Sequence, residues 1–166
     1  MQKIGIVGQG YVGTAVKSVF NKHYEVLTYD IKNTLSNISS LEELVRAVEV
    51  IFVCVPTPMN TDGSCNTDIV EDVVLDINDV VHIDRLNHNP KTDKIVVIKS
   101  TVPPGTTDRL NKENDNVTVI FNPEFLTEAN FIEDFKNQNR IIIVGKRPAT
   151  TKLRQIYSLV LEHIQI

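Results

Sequence analysis

Short aliphatic and β-branched runs recur along the chain, and stretches of helical periodicity separate them. The runs are Lys3–Val7, Glu25–Tyr29, Val50–Val55, Ile95–Lys99, Val117–Phe121 and Ile141–Val144. Their apolar positions are nearly continuous, the pattern of parallel strands buried on both faces rather than half-exposed hairpins. Between them, Ile69, Val70, Val73, Val74, Ile77, Val80 and Val81 fall within an arc of about 140° at about 100° per residue, which predicts a helix over 69–81. Ser39 and Ser40, with Glu42 and Glu43 three positions on, form two overlapping capping boxes ahead of Leu41–Val48. Leu153, Ile156, Tyr157 and Val160 recur at three- and four-residue intervals and predict a last helix. Asn87-His88-Asn89-Pro90 and Asn111–Asn116 read as polar surface loops.

Six strands alternating with helices predict an α/β fold, a doubly wound six-stranded parallel sheet of the Rossmann type. Its strand order is expected to be 3-2-1-4-5-6, with ligands across the carboxyl ends of the strands. The chain ends one helix after the sixth run, so residues 1–166 are expected to form one complete domain.

The first strand runs into Gly8-Gln9-Gly10-Tyr11-Val12-Gly13, and Asp30 ends the second, 20 residues after Gly10. A glycine triplet alone is weak, but one that follows a strand, opens a helix and has an acid at the next strand's end is specific for a dinucleotide. Gly8 allows the tight turn, Gly10 leaves room for a pyrophosphate, and Gly13 lets helix and strand pack closely. The phosphates would take the free N–H groups at the helix start. Asp30 would accept from the adenosine ribose 2′-OH and repel a 2′-phosphate, which favours NAD over NADP.

Other strand ends carry prolines and polar residues: Val55-Pro56-Thr57-Pro58, Ser100-Thr101-Val102-Pro103-Pro104-Gly105-Thr106 and Asn122-Pro123-Glu124-Phe125-Leu126-Thr127-Glu128. With the fourth strand beside the first, Thr101 would face the nicotinamide end of a bound dinucleotide. Its position also suits a helix cap for the segment after Gly105. Glu124 and Glu128, four apart, would share a face if the stretch is helical, although exposed glutamates usually serve only solvation.

Composition changes the picture little. Of 166 residues, 42% are hydrophobic and 23% charged, which excludes a disordered chain, and the formal charge of -4 argues against a nucleic-acid binder. No apolar run approaches the roughly 18 residues that span a bilayer, and Met1 leads into Ile4–Gly8 without the basic and apolar regions of a secretory leader. Two cysteines, Cys54 and Cys65, form neither a disulfide framework nor a metal-ligand spacing. No membrane partner and no metal are expected, and a reducing, cytoplasmic setting is.

These residues resemble the N-terminal domain of the UDP-glucose/GDP-mannose dehydrogenases. The resemblance rests on Gly8–Gly13, Val53-Cys54-Val55-Pro56-Thr57-Pro58, Asp62-Gly63-Ser64, Ser100–Thr106 and Asn122–Leu126. It continues in Ile132-Glu133-Asp134-Phe135 leading to Arg140-Ile141-Ile142. It implies NAD as cofactor and a nucleotide sugar, UDP-glucose first, oxidised from the C6 alcohol to a carboxylate. By the resemblance, Gly8, Gly10, Tyr11, Val12, Gly13, Asp30, Pro56 and Thr57 bind the cofactor. Thr101 borders it and holds a water or oxyanion near the reacting carbon. Glu124 does acid/base work, Glu128 is a second active-site glutamate, and Phe125 and Leu126 contact the nucleotide sugar through their backbone. Hydroxyacid-type dehydrogenases share the expected fold but not Ser100–Thr106 followed by Asn122–Leu126.

Several family features are missing from the sequence: the nucleophilic cysteine in a G-x-C-x-P-K-D segment, the accompanying lysine, asparagine and aspartate, and the long central helix. Thr127 stands where an arginine is common, and Asn66 where an aspartate is common. Two readings follow: the cofactor half of a dehydrogenase working with a separate or removed C-terminal half, or a stand-alone NAD(H)-binding module without turnover that senses the cofactor or associates with a full-length homologue.

Overall fold

In the computed structural model residues 1–87 and 93–161 are described. Five strands, β1 (Lys3–Val7), β2 (Glu25–Tyr29), β3 (Val50–Val53), β4 (Lys94–Ile98) and β5 (Val117–Phe121), form one parallel sheet. The helices are α1 (Tyr11–Phe20), α2 (Leu41–Ala47), α3 (Asp68–Leu86), α4 (Thr106–Glu113), α5 (Phe131–Asn137) and α6 (Ala149–Val160). Every expected helix is present; the one over 69–81 extends to Leu86. Of the two capping boxes the second forms in part, the return bond reaching one residue before the N-cap. Ser40 caps α2 by accepting from the Glu43 N–H at 3.2 Å, and the Glu43 carboxylate accepts from the Ser39 N–H at 3.1 Å. Of the two expected loops, residues 88–90 lie outside the described ones. The other, 111–116, proves half helical, because α4 continues to Glu113.

Two expectations need correction. The sheet order is β2-β1-β3-β4-β5, not 3-2-1-4-5-6, so β1 lies between β2 and β3, and β4 is one strand further away. All four residues of β3 are buried, as suits a central strand; next to β2 they would have formed an edge. The outer edge of β2 is closed instead by Asn37. Its side chain accepts from the Thr28 N–H at 2.7 Å and donates to the Val26 carbonyl at 2.9 Å, while its own N–H donates to the Thr28 carbonyl at 3.0 Å. A strand edge with its polar groups so paired leaves no ladder for another strand. The sixth strand, Ile141–Val144, is reduced to one antiparallel bridge, in which Val144 and Phe121 exchange two hydrogen bonds of 2.8 Å. The sheet therefore has five strands.

The pleat splits the core into two layers. On one face, Ile4, Ile6, Phe52, Ile95, Val97 and Ile120 meet α1, α5 and α6. Phe20 is the centre of that layer, with ring centroids 5.4 Å from both Phe52 and Tyr157. On the other face, Val7, Ile51, Val53, Val96, Ile98 and Val119 meet the aliphatic sides of α2, α3 and α4. Among the described residues no helix is long and apolar enough to cross a membrane. All the strands end at one edge, and the loops that leave this edge carry the candidate chemistry.

Candidate functional site

Three glycines shape the turn between β1 and α1, each for its own reason. Gly8 has φ of 90°, a left-handed conformation open to glycine, and its N–H donates to the Tyr29 carbonyl at 2.9 Å. Gly13 brings α1 onto that turn: a Cβ there would stand 1.9 Å from the Gly8 carbonyl oxygen. At Gly10, the N-cap of α1, a Cβ would meet nothing within 4 Å. The space beside Gly10 therefore belongs to no protein atom. No side chain caps α1 and its first turn holds no acidic residue. Its first N–H groups, which have no partner within the helix, are thus left to a ligand, and the helix dipole favours an anion there.

Asp30 lies just past β2, across the same turn. One carboxylate oxygen accepts from the Gln9 N–H at 2.7 Å and the other from the Lys32 N–H at 2.8 Å. The two bonds fix the orientation of the carboxylate, and each oxygen keeps a lone pair for a further donor such as a ribose hydroxyl. Gly8, Gly10, Tyr11, Val12, Asp30 and Pro56 line one cleft of about 1000 Å³, which continues between α2 and α3 along Leu41 and Val73. Polar turn, acid and adjoining apolar groove are what a dinucleotide's pyrophosphate, ribose and base require. The residues fit NAD.

The remaining candidates lie outside this cleft. Thr57 is half-buried, one residue beyond Pro56. Thr101 is exposed, and its carbonyl accepts from the Cys65 thiol at 3.6 Å. The strand order places Thr101 two strands from the glycine turn rather than beside it. It does not cap α4 either: Gly105 is the N-cap, and the Thr106 hydroxyl donates back to Pro103 at 2.8 Å. Residues 122–127 are not helical, so Glu124 and Glu128 do not share a helix face; Glu128 is exposed, in a turn before α5. Glu124 is half-buried and its carboxylate accepts from the Leu126 N–H at 2.5 Å. Leu126 packs on the aromatic layer. Phe125 is 53% exposed, with the Arg140 guanidinium 4.9 Å from its ring centroid.

Sequence reasoning missed the group behind this loop. Lys99, just past β4, is buried, and its ammonium donates to both the carbonyl and the side-chain oxygen of Asn122 at 3.2 Å. The Tyr157 hydroxyl donates to the same side-chain oxygen at 2.5 Å. Burial pushes the Lys99 ammonium down to about 8, against the opposing pull of Cys54 and Glu124. Burial pushes the Cys54 thiol up to about 12 and raises the Tyr157 hydroxyl as well. The available signal was a lysine closing an otherwise apolar run, Ile95–Ile98. Among the described residues no group of three or more His, Cys, Asp or Glu side chains could hold a metal ion.

Residues 25–161 match the family model described as UDP-glucose/GDP-mannose dehydrogenase family, NAD binding domain. The match begins at β2, so the glycine turn before it stands on its own geometry. The chain is 32% identical over 124 residues to the UDP-glucose 6-dehydrogenase of Rickettsia bellii, covering 72% of this chain and 26% of that protein. It is 33% identical over 132 residues to the UDP-glucose 6-dehydrogenase of Pseudomonas aeruginosa, covering 72% of this chain and 27% of that protein. A solved UDP-glucose dehydrogenase from Pyrobaculum islandicum superposes with a TM-score of 0.82 at 28% identity, over 96% of this chain and 44% of that one. A solved GDP-mannose dehydrogenase from Pseudomonas aeruginosa shares the fold at a TM-score of 0.79 and 23% identity. The chain thus spans about a quarter of these two relatives' length and less than half of the first solved structure.

Proposed function

The chain belongs to the UDP-glucose/GDP-mannose dehydrogenase family, and from that premise we propose that it is the cofactor half of a cytoplasmic nucleotide-sugar oxidation. The substrate in this reading is UDP-glucose or a related UDP- or GDP-sugar, taken from the C6 alcohol to the uronate. NAD, when bound, accepts the hydride at each of the two oxidation steps. The observation that carries the reading is the pairing of the Gly8–Gly13 turn with the oriented Asp30 carboxylate on one cleft.

Each residue has a part in this reading. The α1 N–H groups bind the pyrophosphate, and the open space at Gly10 admits it. Asp30 accepts from the adenosine ribose and selects against a 2′-phosphate. Tyr11, Val12 and Pro56 line the cofactor's path, and Thr57 borders it just beyond the cleft. At the neighbouring strand ends Thr101 holds a water or oxyanion, and Glu124 moves a proton, with Glu128 close by in sequence. The backbone at Phe125 and Leu126 takes the nucleotide sugar.

The second oxidation calls for a thiolate to hold the aldehyde-level intermediate covalently. Neither cysteine is suited to that. Cys54 is buried with its thiol pushed up to about 12, and Cys65 has no Lys or Arg adjacent in sequence to favour a thiolate. The nucleophile therefore lies outside these 166 residues, and full turnover calls for a C-terminal half. The inert Cys54 fits a second reading equally: a stand-alone, non-catalytic NAD(H)-binding module that senses the cofactor or associates with a full-length homologue.

Calorimetric titration with NADH and NADPH tests the cofactor site. NADH should bind more tightly, and Asp30→Ala should weaken it about 10- to 100-fold, the loss of a hydrogen bond to a charged group. Equal affinity for both cofactors would overturn the role of Asp30. Absorbance at 340 nm with UDP-glucose, before and after mixing with a homologue's C-terminal half, separates the two readings. Turnover only on mixing supports the enzyme half, and binding without turnover in both cases supports the module.

A further inference from the structure

The loop after β5 takes its shape from one side chain, Asn122. Its N–H donates to the Ile98 carbonyl at 2.9 Å and its amide nitrogen to the Ile142 carbonyl at 2.8 Å. Its two oxygens receive Lys99, and its side-chain oxygen also receives the Tyr157 hydroxyl. Every polar group of Asn122 is thereby used, and β4, the segment after α5, and α6 are joined at one point. Glu124 follows two residues later.

A neutral donor would satisfy Asn122 equally well. A lysine in that place is costly, because taking an ammonium from water into a protein interior is unfavourable unless something compensates. Both hydrogen bonds of Lys99 go to one neutral side chain and its backbone, and the Phe135 ring of α5 lies 5.6 Å from the ammonium. The titratable groups facing it are Cys54 from the end of β3, Tyr157 from α6 and Glu124 from the loop itself. Burial keeps the thiol and the phenol in their neutral forms near pH 7. Among the described residues no carboxylate forms an ion pair with the ammonium; the one whose charge acts on it is Glu124, on the loop two residues past Asn122, its carboxylate accepting from the Leu126 N–H.

We propose that Lys99 is a positioning residue for Glu124: clamped on Asn122 with Tyr157, it anchors the start of the Pro123–Leu126 segment that carries the Glu124 carboxylate at the carboxyl edge of the sheet, and its buried charge acts on that carboxylate. The proposal deepens the reading of Glu124 as the acid/base group and rests on it for its functional meaning. The coupling itself is measurable without cofactor or substrate.

Nuclear magnetic resonance of the full chain with lysine side chains labelled at the ε carbon tests it. The Lys99 signal should titrate near 8, and in Glu124→Gln its midpoint should fall, since the carboxylate that favours the ammonium is gone. Glu133→Gln on the exposed side of α5 should leave it in place. In Lys99→Met, hydrogen exchange at the Leu126 and Asn122 amides should quicken at least tenfold while the amides of β1 and α1 keep their protection. A Lys99 midpoint unmoved by Glu124→Gln would overturn the proposal, as would unchanged exchange at Leu126 in a folded Lys99→Met. If Lys99→Met does not fold, the Glu124→Gln titration decides alone. A wild-type chain that fails to bind NADH but shows the coupled titration would strike the cofactor reading and leave the role of Lys99 intact.

Discussion

The turns after β1 and after β5 leave the same edge of the same sheet and are held by different forces. After β1 the chain is fixed by backbone sterics within six residues: a left-handed Gly8, and Gly13 pressed against the Gly8 carbonyl. After β5 it is fixed by side chains from far along the chain. Lys99 and Tyr157 lie 23 and 35 residues from Asn122, and the carbonyl of Ile142 lies 20 away. The first turn presents the bare N–H groups of the α1 start to a ligand and contains no charged side chain of its own; the one carboxylate that touches it, Asp30, holds the Gln9 N–H from across the turn. The second contains a buried cation and a half-buried carboxylate. A ligand with fixed chemistry, a pyrophosphate, is met by the rigid local device. In the proposed function the proton-moving step falls to the second turn, whose electrostatics the surrounding protein can tune.

The sharpest way to break the first turn is Gly13→Val. The contact is backbone against backbone, at 1.9 Å for a Cβ, so no side chain can rotate away to relieve it. The expected loss exceeds about 4 kcal/mol, the range of severe overpacking or backbone strain. A domain of this size would then be largely unfolded, and far-UV circular dichroism with a urea titration will show it. A cooperative transition near the wild-type midpoint would mean that α1 can lift off β1.

The same contrast explains how much could be read from the sequence. The spacing of Gly8, Gly10, Gly13 and Asp30 points to the candidate cofactor site because its geometry is local and depends on the absence of side chains. β1, β2 and β5 have the bounds that their apolar runs predict. The strand order was not legible: it turned on whether Asn37 or a strand would occupy the edge of β2, and one asparagine in a polar stretch does not declare its partner. Nor was the fate of Ile141–Val144, whose apolar run promised a strand while only Val144 pairs with β5. Thr101 and Glu124 stood out by their place at strand ends, but only the family's motifs gave them roles. Lys99 and Asn122 were missed because their meaning lies in a meeting across strands and α6, which no spacing along the chain encodes.

Asn122→Ala breaks the second turn. It removes the side chain's three hydrogen bonds, two accepted and one donated, and leaves a buried ammonium with only the backbone carbonyl as acceptor. Removing one partner of a buried charge typically costs about 3–5 kcal/mol; here one acceptor remains, so about 3 kcal/mol is expected. NADH affinity, corrected for the folded fraction, should stay within about twofold, since Asn122 lines no part of the cleft. Denaturant melts paired with calorimetry would check both, and a large loss of cofactor affinity with little loss of stability would show that the two turns are one unit.

The smallest effect is the pH dependence of Lys99, and its sign is fixed by linkage. The side chain titrates near 8 in the folded protein and at its ordinary 10.5 when unfolded. Below 8 both states are protonated and the folded one bears the full cost of the buried charge. Between about 8 and 10.5 the unfolded chain binds more protons, so this side chain makes stability rise with pH. Cys54 and Tyr157 act the other way. Their folded forms hold protons that the unfolded chain releases, so they subtract stability from about pH 9 upward. A single pH profile would mix these opposing slopes, and the useful quantity is the difference between wild type and Lys99→Met, in which the thiol and phenol contributions nearly cancel. From pH 7.5 to 9.5 the wild type should gain about 1–2 kcal/mol on the variant, given about 1.4 kcal/mol per unit once the folded side chain has lost its proton. A difference independent of pH would mean that Lys99 keeps its proton as readily inside as outside. The turn after β5 would then be held by hydrogen bonds alone, without a contribution from its buried charge.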